Sequence, residues 1–398
     1  PSRHVIWYYF VLAASLNAVY FRGLIVIDVL RRGIDATQVG ILFGVVSMLA
    51  VLTEIPTGVF ADRWGRKRSL QTGIILLIVF ALGMVAARGM MTHLVLFAVW
   101  GIGKSLVSGA DKALLYDYLR QRNATYLYRR LETRASIVAS VSLTAALVAG
   151  AGLQMIRWEA LYLASAMTLG LGWLASRKLP DVAVRRGDKR LRVESSFREE
   201  LKSKHSPLLV LVSVGFIAAA VAAYYTYFQA IANRAGLSPG WISICYGFAE
   251  LAGAAVLWLS CPAPGSQPTN AGVRRIVASY GLLACMAFGL GAFGNVVISG
   301  LGFVLLIAAT PSLDVALICW IQRCVQSSHR ATWFSVSATF NAVGIAVMTA
   351  TVGCLMSVAP VGYTVFVLIV AMSVGVAIMH GSLRGIARPM ALPQASPD

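Results

Sequence analysis

Apolar stretches of about twenty residues recur along the whole chain, separated mostly by short polar turns. No other feature constrains the fold as strongly. A segment that crosses the hydrocarbon core must satisfy its own backbone hydrogen bonds, which a helix of about 20 mostly apolar residues does. On that yardstick the sequence predicts twelve helices, near residues 5–30, 37–57, 69–88, 92–120, 132–154, 158–176, 206–231, 238–260, 273–293, 296–322, 329–355 and 359–382. Composition agrees: 58% of the 398 residues are hydrophobic and 13% are charged, where soluble domains carry roughly twice that charged share. The expected class is an all-α integral membrane protein.

The net charge of +18 raises the question of nucleic acid, but the placement of the bases answers it. They gather in alternate short loops, which sets both termini in the cytoplasm of a multi-pass protein of the cell (inner or plasma) membrane. The longest polar stretch holds ten bases and follows the sixth predicted helix. It divides the chain into an N-terminal six-helix bundle (1–176), a basic cytoplasmic linker (177–205), a C-terminal six-helix bundle (206–384) and a cytoplasmic tail (385–398). The linker is expected at the headgroup level, bound to anionic lipid. Ser196 and Glu199 have the spacing of a capping box, so a short surface helix and a disordered basic tether both remain open there. The first apolar run, Val5 to Leu30, is too long for a signal core. Six cysteines lie in or beside the second-half helices without a CxxC or Cys/His ligand set. They read as small apolar residues, with no metal or disulfide expected. No Walker loop or dinucleotide fingerprint is present, so no cofactor and no enzymatic activity are expected.

One turn stands out. Gly58 to Leu70, GVFADRWGRKRSL, packs one acid, four bases and two glycines between two span-length apolar runs. The order glycine, three residues, Asp62-Arg63, one residue, Gly65-Arg66-Lys67 resembles the signature loop between helices 2 and 3 of the major facilitator superfamily. The resemblance implies twelve helices in two bundles and alternating access. It also implies that Gly58, Asp62, Arg63, Gly65 and Arg66 form a conformational latch, with Asp62 and Arg66 in a charge cluster that holds the halves in the outward-open state. Asp117, at the end of helix 4, stands where the cluster's partner acid is expected. The corresponding stretch of the second half, Cys261 to Arg275, keeps only Arg274 and Arg275 of the pattern. Gly40 and Gly44 make a GxxxG close-packing face on helix 2.

Ionisable groups at membrane depth are costly, so they mark candidate sites. On helix 4, Lys104, Ser108 and Asp111 recur at i, i+4 and i+7 and are expected on one face, with Lys112 beside them. Glu250 lies within helix 8 and Asp314 within helix 10, near Thr310. Arg22 and Asp28 fall in the outer half of helix 1, where Asn17 is expected on the face of Asp28. Asp28 serves the site or caps the helix end against Arg31 and Arg32. Proton coupling calls for a carboxylate that titrates during the cycle, and Asp111, Glu250 and Asp314 are the candidates, Asp111 first. A structural ion pair is the alternative for Lys104, Asp111 and Glu250. Helix 7 carries Tyr224, Tyr225, Tyr227 and Phe228 before Gln229, and helix 11 carries Asn341 after Phe340. Rings with a polar tip suit an amphipathic ligand, or else anchor at the membrane interface. The substrate-cavity candidates are therefore Asn17, Arg22, Asp28, Lys104, Ser108, Lys112, Tyr224, Tyr227, Phe228 and Asn341.

Together these features predict a secondary active transporter. Within the superfamily, the intact loop and deep acids resemble the drug:proton antiporter branch, although helix 5 has Gly150 and Gly152 without that branch's glycine–proline motif. The resemblance implies export of a small amphipathic compound (a drug, siderophore or metabolite) in exchange for protons, and a monomer is expected. A proton-coupled importer of a nutrient is the alternative. A membrane-embedded enzyme lacks a nucleophile–base set, and a flippase would need a wide lipid-facing cleft.

Overall fold

The computed structural model describes residues 2–181, 208–259, 269–292, 295–324 and 330–385, without the side chains of Ile55, Asp62, Ala292, residues 321–324 and 330–332, Phe334 and residue 385. The basic cluster of the linker, its capping-box pattern, most of the Cys261–Arg275 loop and the tail beyond 385 lie outside the described residues. The secondary structure of the described residues is helical. The helices are α1 (Arg3–Asn17), α2 (Ile25–Arg31), α3 (Ala36–Leu52), α4 (Glu54–Trp64), α5 (Arg66–Ala86), α6 (Gly89–Val107), α7 (Ala110–Gln121), α8 (Tyr128–Ile156) and α9 (Glu159–Lys178), and then α10 (Leu208–Arg234), α11 (Pro239–Leu259), α12 (Asn270–Ala292), α13 (Val296–Cys324), α14 (Arg330–Val358) and α15 (Val361–Gly385). Nine segments among the described residues are long and apolar enough to cross a membrane by length and composition. The fold is that expected from the sequence, twelve passages in two six-helix bundles.

Three passages are not single helices. The first is unwound between α1 and α2, the second turns at Thr53 between α3 and α4, and the fourth breaks at Ser108 and Gly109 between α6 and α7. Gly109 has φ +77°, a left-handed conformation that glycine adopts without the penalty a Cβ brings. The break removes the helical register on which the common face of Lys104, Ser108 and Asp111 depended. Asn17 and Asp28 are likewise separated by the unwound stretch and share no face.

Within the first bundle α1 packs on α8 and α9, and α5 packs on α6 and α9. In the second, α10 packs on α14 and α15, and α13 packs on α11 and α12. The bundles meet along two seams, α3 against α14 and α8 against α11, with α2 touching α10. Small residues let the backbones approach, as membrane helices require in the absence of a hydrophobic drive between them. A Cβ on Gly40 would meet Thr349 O and, at 2.9 Å, the Tyr227 hydroxyl; one on Gly353 would meet Ala36 O. Asp35 fixes where α3 begins: its side chain accepts from Gln38 N at 2.8 Å, and Gln38 Oε1 accepts from Asp35 N at 3.1 Å. On the other seam, Ser243 donates to Leu147 O at 2.7 Å and Thr144 donates to Gly247 O at 3.2 Å.

These contacts seal one end of the molecule, the end that carries Asp28, Ala36 and Gln229. At the opposite end lies the basic turn, where α4 packs on α3, α5 and α6. A Cβ on Gly58 there would meet no described atom within 4 Å.

Candidate functional site

A cavity of about 820 Å³ lies between the bundles below the sealed end. The first bundle lines it with Asn17, Phe21, Arg22, Phe43, Ser47, Trp100 and Lys104, and the second with Tyr225, Gln229, Glu250, Tyr280, Thr310, Asp314 and Asn341.

The unwound stretch between α1 and α2 holds Arg22 in this cavity. Backbone groups released from helical bonding must find partners inside a membrane, and they find them in distant side chains. Tyr20 N donates to Ser165 Oγ at 3.1 Å, and Val26 N donates to Gln229 Oε1 at 2.9 Å. The same Gln229 donates through Nε2 to Arg22 O at 3.0 Å. Gln229 is 1% exposed, so one amide side chain of the second bundle completes the broken helix of the first.

Arg22 Nη2 lies 3.2 Å from Glu250 Oε1, an ion pair that joins the two bundles across the cavity wall. The Tyr225 hydroxyl donates to the same carboxylate oxygen at 3.5 Å, and the guanidinium stands 5.5 Å from the Tyr225 ring centroid. The Tyr246 hydroxyl in turn bonds the Tyr225 carbonyl. The second cation, Lys104, lies 5.5 Å from the centroid of Trp100, which stacks on Phe80 at 4.9 Å. Lys104 and Asp314 are both exposed to the cavity, and neither forms an ion pair among the described residues. Beside Asp314, Thr310 is hydrogen bonded with the Tyr280 hydroxyl at 2.8 Å. Asn341 Oδ1 is buried without a hydrogen-bond partner among the described residues, although it is an acceptor with two lone pairs. The charge is therefore divided by bundle: two cations on the first, two carboxylates on the second.

Six residues expected in or near the site are brought together here: Asn17, Arg22, Lys104, Glu250, Asp314 and Asn341. The others stand elsewhere. Asp28 is fully buried at the sealed end, accepting from Arg32 Nε at 2.8 Å, Arg31 Nη2 at 3.0 Å and the Tyr162 hydroxyl at 2.8 Å. It thus meets both Arg31 and Arg32, the arrangement that the second of the two roles open for it requires. Asp111 begins α7 beyond the break, outside the cavity, near a cluster in which Glu132 accepts from Tyr9 at 3.0 Å and meets Lys112 at 3.3 Å. Ser108 sits at the break itself. Tyr224, Tyr227 and Phe228 are buried in packing: Tyr224 donates to Ala287 O, Tyr227 to Ala36 O, and Phe228 stacks on Phe303 at 3.9 Å. The helix-7 ring that reaches the cavity is Tyr225. Its signal was the spacing of Val214, Ala218, Val221, Tyr225 and Gln229, one stripe at three- and four-residue steps that ends on a polar residue.

At the open end, Arg66 Nη1 pairs with Asp117 Oδ2 at 3.1 Å, and Arg120 approaches Asp117 Oδ1 at 3.5 Å. Asp117 is 4% exposed. Gly65, with φ +96°, makes the joint between α4 and α5, and Lys67 Nζ donates to Leu179 O at 2.6 Å and Arg177 O at 3.0 Å. Arg63 is exposed at the end of α4.

The sequence pattern of the Major Facilitator Superfamily matches residues 6–263. An uncharacterized transporter of Buchnera aphidicola subsp. Schizaphis graminum (strain Sg) is 28% identical over 85 residues. That match spans 21% of this chain and 21% of the relative, so the chain aligns with about a fifth of its length. Among solved structures, the nucleoside transporter NupG superposes with a TM-score of 0.76 at 12% identity, covering 97% of this chain and 98% of that one. A D-xylose-proton symporter superposes with a TM-score of 0.70 at 10% identity, over 94% and 96% of the two chains. At these identities the likeness is one of fold. With the family pattern running through both seams of the first bundle and into the second, the chain belongs to the Major Facilitator Superfamily and is a multi-pass membrane transporter.

Proposed function

We propose that this transporter couples protons to the export of a small amphipathic organic compound by alternating access. The Arg22–Glu250 ion pair carries the reading. It lies in the wall of the cavity, ties one bundle to the other, and contains a carboxylate at membrane depth, where an unpaired charge is costly. Protonating Glu250 removes the attraction that holds Arg22, so proton binding and the relative position of the bundles become one event. Among the three candidate acids Glu250 therefore takes first place as the coupling group. Asp111 lies off the cavity, and Asp314 forms no ion pair with the facing bundle among the described residues. The positive-inside rule puts the basic turn in the cytoplasm of a cell membrane. The sealed end is then external, and the cavity opens inward. The domain boundaries at 176, 205 and 384 and the anionic-lipid contact of the linker belong to the same reading. So does the role of Gly58, Asp62, Arg63, Gly65, Arg66 and Asp117 in closing the cytoplasmic end.

The aromatic lining (Phe21, Phe43, Trp100, Tyr225, Tyr280) beside four ionisable groups supports an amphipathic cargo. Export rests on the resemblance of the signature loop and deep acids to the drug:proton antiporters. The runner-up, proton-coupled import, uses the same cavity and the same acid. Proteoliposomes with an imposed pH gradient and a panel of amphipathic compounds distinguish the two. Export predicts that cargo and protons move in opposite directions. Cargo and protons entering together would make the protein a symporter, and transport indifferent to the pH gradient would remove the proton altogether.

A further inference from the structure

The charges of the cavity are not all accounted for by the Arg22–Glu250 pair. Lys104 on α6 and Asp314 on α13 remain, one on each bundle. Both are exposed to the cavity and lack an ion-pair partner among the described residues. They occupy the fourth helix passage of their respective halves, so repeat symmetry sets their helices on opposite sides of the central axis. An unpaired cation and an unpaired anion, held apart across one cavity, form a fixed dipole. Their surroundings differ. Lys104 stands by the Trp100 face within an aromatic wall that includes Phe43 and Phe80. Asp314 shares its side of the cavity with the hydrogen-bonded Tyr280–Thr310 pair. Asn341 Oδ1, also at this cavity, lacks a partner among the described residues and is an acceptor suited to an N–H donor.

We propose that this cavity is built for a zwitterion: a compound with a carboxylate that meets Lys104, an ammonium group that meets Asp314, and an apolar, preferably aromatic body between them. The proposal rests on the cavity being the transport site and names its cargo class. An uncharged sugar or nucleoside would leave both unpaired charges without a counterion in a partly dehydrated site, which is unfavourable for each. A simple cation or anion would satisfy one and repel or ignore the other. A zwitterion satisfies both. By spanning the bundles it also supplies a second cross-bundle ionic link beside Arg22–Glu250.

Four forms of one probe test this, an aromatic body with one charge at each end: 4'-(aminomethyl)biphenyl-4-carboxylic acid as the free zwitterion, its N-acetyl derivative (an anion), its methyl ester (a cation) and the N-acetyl methyl ester (neutral). Binding to the purified full chain is measured by thermal stabilisation and by calorimetry, for wild type, K104Q and D314N. Wild type should bind the zwitterion at least about tenfold more tightly than any other form, as loss of one close charge contact implies. K104Q should weaken the zwitterion and the anion and leave the cation unchanged. D314N should weaken the zwitterion and the cation and leave the anion unchanged. The double exchange K104D/D314K, which restores the dipole in reverse, should regain zwitterion preference and shows that the single variants act by charge rather than misfolding. A wild type that prefers the neutral or singly charged probe, variants that weaken all forms alike, or no binding by any form would overturn the assignment. Gradient-driven flux in wild-type proteoliposomes reports separately on the transport reading. A wild type that moves other cargo while ignoring the zwitterion refutes this proposal alone, and one that moves nothing refutes both.

Discussion

Two carboxylates that look alike in the sequence have opposite standing once their neighbours are known. Glu250 keeps a 24% exposed side chain in the cavity and holds one guanidinium across the bundle gap. Its neutral variant Glu250→Gln keeps the shape of the residue and removes the charge. It should abolish cargo movement driven by a pH gradient while leaving gradient-free exchange of the same cargo within about a factor of ten. Both are measured in the same proteoliposomes, and full gradient-driven transport by the variant would show that protons travel elsewhere. Asp28, by contrast, is fully buried and accepts from three side chains. Asp28→Asn leaves Arg32 without its counterion at a 13% exposed position, so it should cost roughly 3–5 kcal/mol of stability. That loss should appear as a clear fall in melting temperature in detergent, with no change in the charge preference of the cavity. An unshifted melting temperature would remove Asp28 from its structural role.

At the level of the helix, the sealed end depends on backbone approaching backbone. Gly40→Ala places a methyl group against Thr349 O and Ala350 Cα, neither of which is a flexible side-chain end. The α3–α14 seam should spread, and the population sealed at this end should fall. In a background lacking native cysteines, a reporter Ser243→Cys on the other seam should become several-fold more reactive to a membrane-impermeant maleimide added from the Asp28 side. Unchanged reactivity would mean the seam absorbs the methyl group. How much of this architecture the sequence displays depends on the range of the causes. The spans, their order and the basic turn follow from local composition, and the Arg66–Asp117 pair was reached through the resemblance of that turn. The break at Gly109 had a local signal in Ser108-Gly109 before Asp111, outweighed by the regular spacing of polar groups around it. The unwinding of the first passage had none. It is held by Gln229 and Ser165, residues far along the chain, and no periodicity within residues 3–31 reports them. Arg22 and Glu250 were each visible as deep charges, but their pairing exists only once the bundles are assembled. The burial of Tyr224, Tyr227 and Phe228 has a simple cause: four aromatic residues within one helical turn and a half cannot all face the same way, and core packing claims most of them.

For the whole molecule, the two ends of the bundles close by different physics. The seams of the sealed end bring together glycines, alanines and hydroxyls, which carry no charge, and Asp28 at that end is already matched with Arg31 and Arg32 of its own bundle. The other end carries Arg63, Arg66, Lys67 and Arg120 on the first bundle and Arg274, Arg275 and Arg384 on the second. Closing that end therefore presses together two plates with an excess of bases, which Asp117 and the other acid of the proposed latch, Asp62, offset only in part. Their repulsion reaches about 10 Å at 0.1 M salt and only about 3 Å at 1 M. Ionic strength thus acts on one gate and spares the other, so the resting orientation of the transporter becomes a function of the salt around its basic face. Distances measured by electron spin resonance between labels on α4 and the start of α12 should contract as salt rises, while labels on α3 and α14 near Gly40 and Thr349 keep their separation or move apart. A basic end that stays equally open across that range would mean its charges are already neutralised. The same repulsion gives anionic headgroups a mechanical role: wedged between the plates, they act as counterions that lower the work of closing.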